Sequence, residues 1–135
     1  MGEKTFTVTA TTEFKLTEED IEDIVITALN GGIGYWACLD NTQPEFADQG
    51  DECTDAWTAK ILLNGGKVSL IDEEDDETVY TLTLEKLLNG IKKFVEDGMD
   101  AYGAFCPNHV DLCNIDTDVA DSIVQLGIFD ELVFG

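Results

Sequence analysis

The chain has 135 residues, of which 44% are hydrophobic, and this size and composition predict one domain, residues 1–135, with an apolar core. Against 29 acidic residues stand seven lysines and no arginine, so the formal net charge is −22. Plentiful, periodic apolar residues exclude general disorder. A charge this large exceeds what solubility requires, which indicates either adaptation to salt or a surface that binds cationic partners.

The N-terminal residues lack the basic start and apolar run of a signal peptide. No stretch reaches the roughly 18 apolar residues that a membrane-spanning helix needs. We therefore expect a cytoplasmic protein without membrane contacts, in which the four cysteines stay reduced. Residues 5–9 are rich in β-formers and predict an opening strand that extends towards Phe14 and Leu16.

A helix is predicted over residues 17–30, because Thr17 followed by acids is typical of a capping box. Its apolar positions repeat at helical spacing and are Ile21, Ile24, Val25 and Ala28. Residues 34–39 are apolar enough to be buried. Residues 40–55, with six acids, predict an exposed loop. Loops longer than about 12–15 residues are usually functional, so this loop is a candidate site.

A β-meander is predicted next. Residues 57–63 show apolar alternation, Asn64-Gly65-Gly66 suits a hairpin turn, and residues 67–71 form the returning strand. The wholly acidic run of residues 72–77 separates this hairpin from a third strand, residues 78–82.

Two further helices are predicted, over residues 84–97 after Thr83 and over residues 117–125 after Asp116. The first carries an apolar stripe that consists of Leu84, Leu87, Leu88, Ile91, Phe94 and Val95. Residues 132–134 suit an edge strand. The predicted fold class is α+β, an antiparallel sheet of three to five strands packed with about three helices.

Few residues suggest catalysis, because the chain has no arginine and one histidine, and its glycine pairs fit no nucleotide-binding motif. Cys106, His109 and Cys113 are candidate zinc ligands, with Cys38 or Cys53 as a fourth, so a zinc-stabilised interaction or regulatory module is one alternative. A small thiol hydrolase that uses a Cys-His pair is another. We favour buried, unreactive cysteines, no enzyme activity and no cofactor.

The acids fall into clusters at residues 18–23, 40–55, 72–77, 96–100 and 111–121, whereas residues 56–71 contain none. Acids at i and i+4 of a helix lie about 6 Å apart, and alternate residues of a strand about 6.6 Å apart, similar to neighbouring phosphates. The acidic run lacks the spaced ligands of a calcium loop. The acids assigned to partner binding are Glu18, Glu19, Glu22, Asp23, Asp48, Asp51, Glu52, Asp72, Glu73, Glu74, Asp75, Asp76 and Glu77.

Three segments resemble a family of small acidic proteins from phages and conjugative elements of Gram-positive bacteria: ALNGGIGYW (28–36), YTLTLEK (80–86) and IDTDVAD (115–121) through to the final Phe134-Gly135. The resemblance implies no catalytic residue. It implies a mobile-element setting in a bacterial host cell, where acidic inhibitors of restriction and of CRISPR nucleases are common.

These features together predict a non-enzymatic inhibitor that mimics nucleic-acid charge and blocks the nucleic-acid-binding surface of a host defence complex. The expected partner is a basic nucleic-acid-binding protein, foremost a CRISPR effector complex or a restriction enzyme. The protein itself is expected not to bind DNA or RNA, because pairing two polyanions releases no counterions. A homodimer that forms through the neutral residues 57–71 is a further alternative.

Overall fold

The computed structural model describes residues 13–100, 102–107 and 109–135. The helices are α1 (Glu18–Thr27), α2 (Thr54–Leu63), α3 (Leu84–Glu96) and α4 (Thr117–Phe129). The strands are β1 (Ala37–Leu39), β2 (Lys67–Asp72), β3 (Val79–Thr83), β4 (Phe105–Cys106) and β5 (His109–Val110). A π-helical turn, Ala28–Gly32, extends α1, and short 3-10 turns lie at Pro44–Phe46 and Leu112–Asn114. The fold class is α+β, as predicted.

The main sheet is antiparallel in the order β1-β2-β3, and β4 pairs separately with β5. One face of this sheet packs on the helices. Val68 and Leu82 of the sheet are buried, and they line the same small apolar cavity as Val25 of α1, Leu87 of α3 and Val124 of α4. Burial of these side chains removes apolar surface from water and joins the two layers.

Side-chain caps begin three helices, as the sequence predicts. Thr17 Oγ1 accepts from Asp20 N at 3.1 Å while Thr17 N donates to Asp20 Oδ2 at 2.9 Å, which is the capping box before α1. Thr83 Oγ1 accepts from the backbone of α3 at 3.2 Å, and Asp116 Oδ1 accepts from the backbone of α4 at 2.9 Å. Each cap satisfies a backbone N–H that the helix itself leaves unpaired.

Helices α3 and α4 pack backbone to backbone through two glycines. A Cβ atom on Gly90 would overlap the carbonyl oxygen of Ile123, and a Cβ atom on Gly127 would overlap the carbonyl oxygen of Lys86. The absence of side chains at Gly90 and Gly127 therefore sets how closely the two helices approach.

The prediction of a strand at residues 57–63 is wrong, because these residues belong to α2. The buried residues Thr58, Ala59, Ile61 and Leu62 follow helical spacing. The alternation of Trp57, Ala59, Ile61 and Leu63 that suggested a strand does not match the burial, because Trp57 and Leu63 are only half-buried. Gly65 ends the helix at a φ of +86°, where glycine is favoured, so Asn64-Gly65-Gly66 joins a helix to a strand. The third strand of the sheet is instead the short β1, which pairs with β2 through Cys38↔Ile71.

Other boundaries also differ. Leu88, placed in the buried stripe of α3, is 42% exposed, whereas Leu87 and Ile91 are buried. Residues 132–134 form no strand, although their backbone is bound by a side chain of α4. The predicted strand at residues 5–9 lies outside the described residues, and residues 13–17 carry no strand. The β4–β5 hairpin was not predicted.

Candidate acidic interaction surface

The described carboxylates are mostly exposed, and all but one are at least partly accessible to solvent. Among residues 13–100, 102–107 and 109–135, Asp121 is the one buried acidic side chain. The same residues form three ion pairs, which are Lys60 with Glu52, Lys92 with Glu96 at 3.9 Å and Lys93 with Asp130 at 3.8 Å. Most of the negative charge in the described part of the chain is therefore presented to solvent without a cationic neighbour.

Residues 72–77 join β2 to β3 in a loop of fixed shape, which we name the acidic tip. Asp72 Oδ1 accepts from the backbone N–H groups of Glu74 and Asp75 at 2.8 and 3.0 Å. Its other oxygen accepts from Tyr80 Oη at 2.6 Å, and Asp75 Oδ2 accepts from Thr78 Oγ1 at 2.6 Å. Two acids thus shape the loop. The remaining acids of the tip are exposed and are Glu73, Glu74, Asp76 and Glu77.

In the contact between Asp72 and Tyr80, the carboxylate stays ionised and the hydroxyl stays neutral over a wide pH range. The hydrogen bond from Tyr80, helped by the backbone donors of the loop, holds the pKa of Asp72 below its ordinary 3.8. The same bond, together with burial and the nearby negative charges, raises the pKa of Tyr80 to about 12. A neutral hydroxyl therefore donates to an ionised carboxylate throughout the neutral range.

The predicted cluster on α1 lies on the side of the helix opposite its core contacts. Ile21, Ile24 and Val25 are buried. The side chains left exposed or half-buried are those of Glu18, Glu19, Glu22 and Asp23, whereas Asp20 is used in the capping box.

The predicted loop of residues 40–55 is more ordered than expected, because polar side chains fix it to the sheet and to α2. Gln43 Oε1 accepts from Ser69 N at 3.0 Å while its Nε2 donates to Lys67 O at 2.9 Å. Phe46 is buried. Of the predicted site acids, Asp48 and Asp51 are exposed and Glu52 is paired with Lys60. The last residues of this segment begin α2.

A buried polar network around Asp121 was missed by sequence reasoning. Asp121 accepts from Tyr35 Oη at 2.6 Å, from Trp36 Nε1 at 2.8 Å and from Gln125 Nε2 at 2.9 Å. Gln125 Oε1 in turn accepts from the backbone N–H groups of Val133 and Phe134 at 2.9 and 2.8 Å. The signal available in the sequence was the i, i+4 pair Asp121 and Gln125 within an otherwise apolar helix.

The network joins two of the acidic clusters. Glu73 N of the acidic tip donates to Trp36 O at 2.9 Å, and the Trp36 side chain donates to Asp121 of α4. Phe134 stacks on Trp36 with ring centroids 4.9 Å apart. Trp36 therefore links the acidic tip to α4, and Phe134 near the C-terminus packs against its ring.

The structure does not assemble the zinc candidates. Cys106 and His109 are opposite each other in the β4–β5 pair, and Cys113 lies in the following 3-10 turn. No three His, Cys, Asp or Glu side chains in the described ranges group closely enough to hold a metal ion. The expectation of buried cysteines is wrong, because Cys38, Cys53 and Cys113 are exposed and Cys106 is half-buried. The zinc and thiol alternatives gain no support from this placement.

Comparison with protein-family models, curated proteins and solved structures yields no match.

Within the described ranges, no helix combines the length and the apolar character needed to cross a membrane. The most distinctive feature is the acidic tip with the aromatic residues beside it, because it combines exposed negative charge with a backbone that is held by specific hydrogen bonds.

Proposed function

We propose that the protein is a non-enzymatic inhibitor that presents nucleic-acid-like charge and blocks the nucleic-acid-binding surface of a basic host defence protein, such as a CRISPR effector complex or a restriction enzyme. The observation that carries the proposal is the acidic tip. Four solvent-facing carboxylates stand on a loop that two further carboxylates, Asp72 and Asp75, hold in shape. Charge that merely solubilises a protein needs no such fixed support.

A fixed loop improves charge recognition because little conformational freedom is lost when it is bound. An isolated exposed ion pair contributes only about 0.2–1 kcal/mol, so several carboxylates must act together. A channel that binds nucleic acid offers several lysines and arginines at once, because its affinity depends largely on phosphate contacts. The acidic tip supplies several negative charges on one short segment, which suits such a channel.

The test compares two variants from which the same amount of charge has been removed. The tip variant is Glu73→Gln, Glu74→Gln, Asp76→Asn and Glu77→Gln, which leaves Asp72 and Asp75 in place. The control variant is Glu18→Gln, Glu19→Gln, Glu22→Gln and Asp23→Asn on α1. Cleavage of a target duplex by reconstituted CRISPR effectors and restriction enzymes is measured with increasing amounts of each protein.

The tip variant is expected to need at least about tenfold more protein for half-inhibition, which corresponds to about 1.4 kcal/mol shared by the lost pairs. The α1 variant is expected to remain close to the wild type. Equal losses in both variants would show that total charge, not its position, matters. Failure of the wild type to inhibit any enzyme of the panel would reject the proposed function.

Salt dependence gives a second check. Binding to the basic partner is expected to weaken steeply as salt rises, because the charge pairs are screened together. The purified protein is expected not to retard a plain DNA duplex. Retardation of the duplex would contradict charge mimicry.

A further inference from the structure

An exposed apolar patch lies beside the acidic tip. Tyr35 is 54% exposed and Val133 is 51% exposed. Gln125 is hydrogen-bonded to the hydroxyl of Tyr35 and to the backbone N–H of Val133. Gln125 Nε2 is 3.2 Å from Tyr35 Oη and 3.2 Å from Phe134 O, so the tyrosine ring and the C-terminal segment are neighbours. Leu132, also exposed, extends this patch along the chain. Together these residues form what we name the Tyr35 patch.

Several acidic residues lie near the Tyr35 patch. Tyr35 Oη donates to Asp121 at 2.6 Å, and Asp118, one turn earlier in α4, is exposed. Burial and the hydrogen bond to Asp121 raise the pKa of Tyr35 to about 12, and the charge of Asp118 adds to the shift. The backbone N–H of Glu73, in the acidic tip, donates a hydrogen bond to the backbone carbonyl of Trp36, which follows Tyr35 in the chain. Glu131, directly before Leu132, is exposed.

The ring of Tyr35 is held in one position. Its hydroxyl donates to Asp121, and that carboxylate also accepts from Trp36 and Gln125, which are both buried. An aromatic side chain that is already fixed loses little entropy on binding. Apolar centres with polar rims, and aromatic anchors in particular, carry most of the affinity of protein interfaces.

We propose that the Tyr35 patch is the centre of the partner-binding surface and receives an arginine side chain of the partner, which stacks on the Tyr35 ring while the nearby exposed carboxylates pair with its charge. The inference builds on the proposed function, since it specifies how the basic partner is recognised. Arginine is the better ligand than lysine because its planar guanidinium group stacks on aromatic faces and pairs with carboxylates in a fixed geometry.

The experiment uses a nine-residue arginine peptide as the probe, so it does not depend on the identity of the partner. Its affinity is measured by titration while the ring signals of Tyr35 and Tyr102 are followed by NMR. Tyr102, 80% exposed, is the internal control. Two variants, Tyr35→Phe and Tyr35→Leu, both lose the hydroxyl that bonds Asp121, but only the first keeps the aromatic ring.

The peptide is expected to shift the Tyr35 signals saturably and to bind Tyr35→Leu about 3- to 30-fold more weakly than Tyr35→Phe, the range expected for a cation–π contact. A nine-residue lysine peptide is expected to bind more weakly than the arginine peptide. Equal binding of the two variants, unchanged Tyr35 signals, or equal affinity for both peptides would overturn the inference. If the peptide docks on Tyr35 but no defence enzyme is inhibited, the proposed function fails and this binding site stands.

Discussion

Replacement of Asp121 by alanine is expected to destabilise the fold substantially, although it removes one negative charge from a chain whose net charge is −22. Trp36 is buried, and its Nε1–H group would lose its acceptor at 2.8 Å. A buried donor left unpaired costs about 1–3 kcal/mol, and the weakened contacts of Tyr35 and Gln125 add about 1 kcal/mol. We expect the free energy of unfolding to fall by about 2–4 kcal/mol, as measured by urea denaturation with tryptophan fluorescence.

Two controls separate the lost acceptor from the lost charge. Asp118→Ala removes an exposed carboxylate one turn earlier in α4 and is expected to change stability by no more than about 0.5 kcal/mol. Asp121→Asn keeps an oxygen acceptor of the same size and is expected to be less destabilising than Asp121→Ala. If Asp121→Ala were as stable as Asp118→Ala, the account of the buried network would be wrong.

Three further predictions concern packing and titration. Gly90→Ala is expected to lower the free energy of unfolding by about 1–3 kcal/mol despite the better helix propensity of alanine, since its Cβ meets the backbone of α4. The control is Gly34→Ala, whose Cβ meets open space. Equal stability of the two variants would disprove the close packing. Ile91→Ala is expected to lower the free energy of unfolding by about 2–5 kcal/mol, and Leu88→Ala, at an exposed position, by less than about 1 kcal/mol. Urea denaturation measures both values, and the reverse order would show that the buried face of α3 is misplaced. Tyr35 and Tyr80 are expected to ionise near pH 12, seen by ultraviolet absorbance as a phase that Phe at both positions removes. Because their folded pKa values are raised above 10.0, their stabilising contribution is complete below pH 10 and is lost as the pH rises through about 12. A single tyrosine titration phase near pH 10 would contradict both hydrogen bonds.

Local signals in the sequence predicted the elements that local interactions determine. The caps at Thr17, Thr83 and Asp116 begin helices, and the acidic run after β2 joins two antiparallel strands. The segment at residues 57–63 could not be assigned by periodicity alone, because Ala59, Ile61 and Leu63 alternate as in a strand while Ala59, Leu62 and Leu63 follow helical spacing. Its alanine, lysine and leucines favour a helix, so helix propensity indicates the observed structure better than periodicity does.

The candidate site was predicted only in part, because residues distant in sequence meet there. The exposure of the tip carboxylates follows from their sequence, but the loop-shaping role of Asp72 depends on Tyr80 across the strand pair. The contact between Tyr35 and Asp121 joins residues 86 positions apart, and no local pattern indicates it. It brings an acidic residue of α4 to an exposed aromatic ring that the sequence analysis did not include in the site.

The most direct test of the central claim is a competition measurement between this protein and nucleic acid for one basic defence complex. The apparent Kd of a labelled nucleic acid for that complex is measured at several concentrations of the protein and at constant salt. Binding to the same surface predicts that the apparent Kd rises linearly with protein concentration and that no ternary complex forms. An unchanged apparent Kd, or a stable complex that contains the protein, the enzyme and the nucleic acid together, would contradict the account.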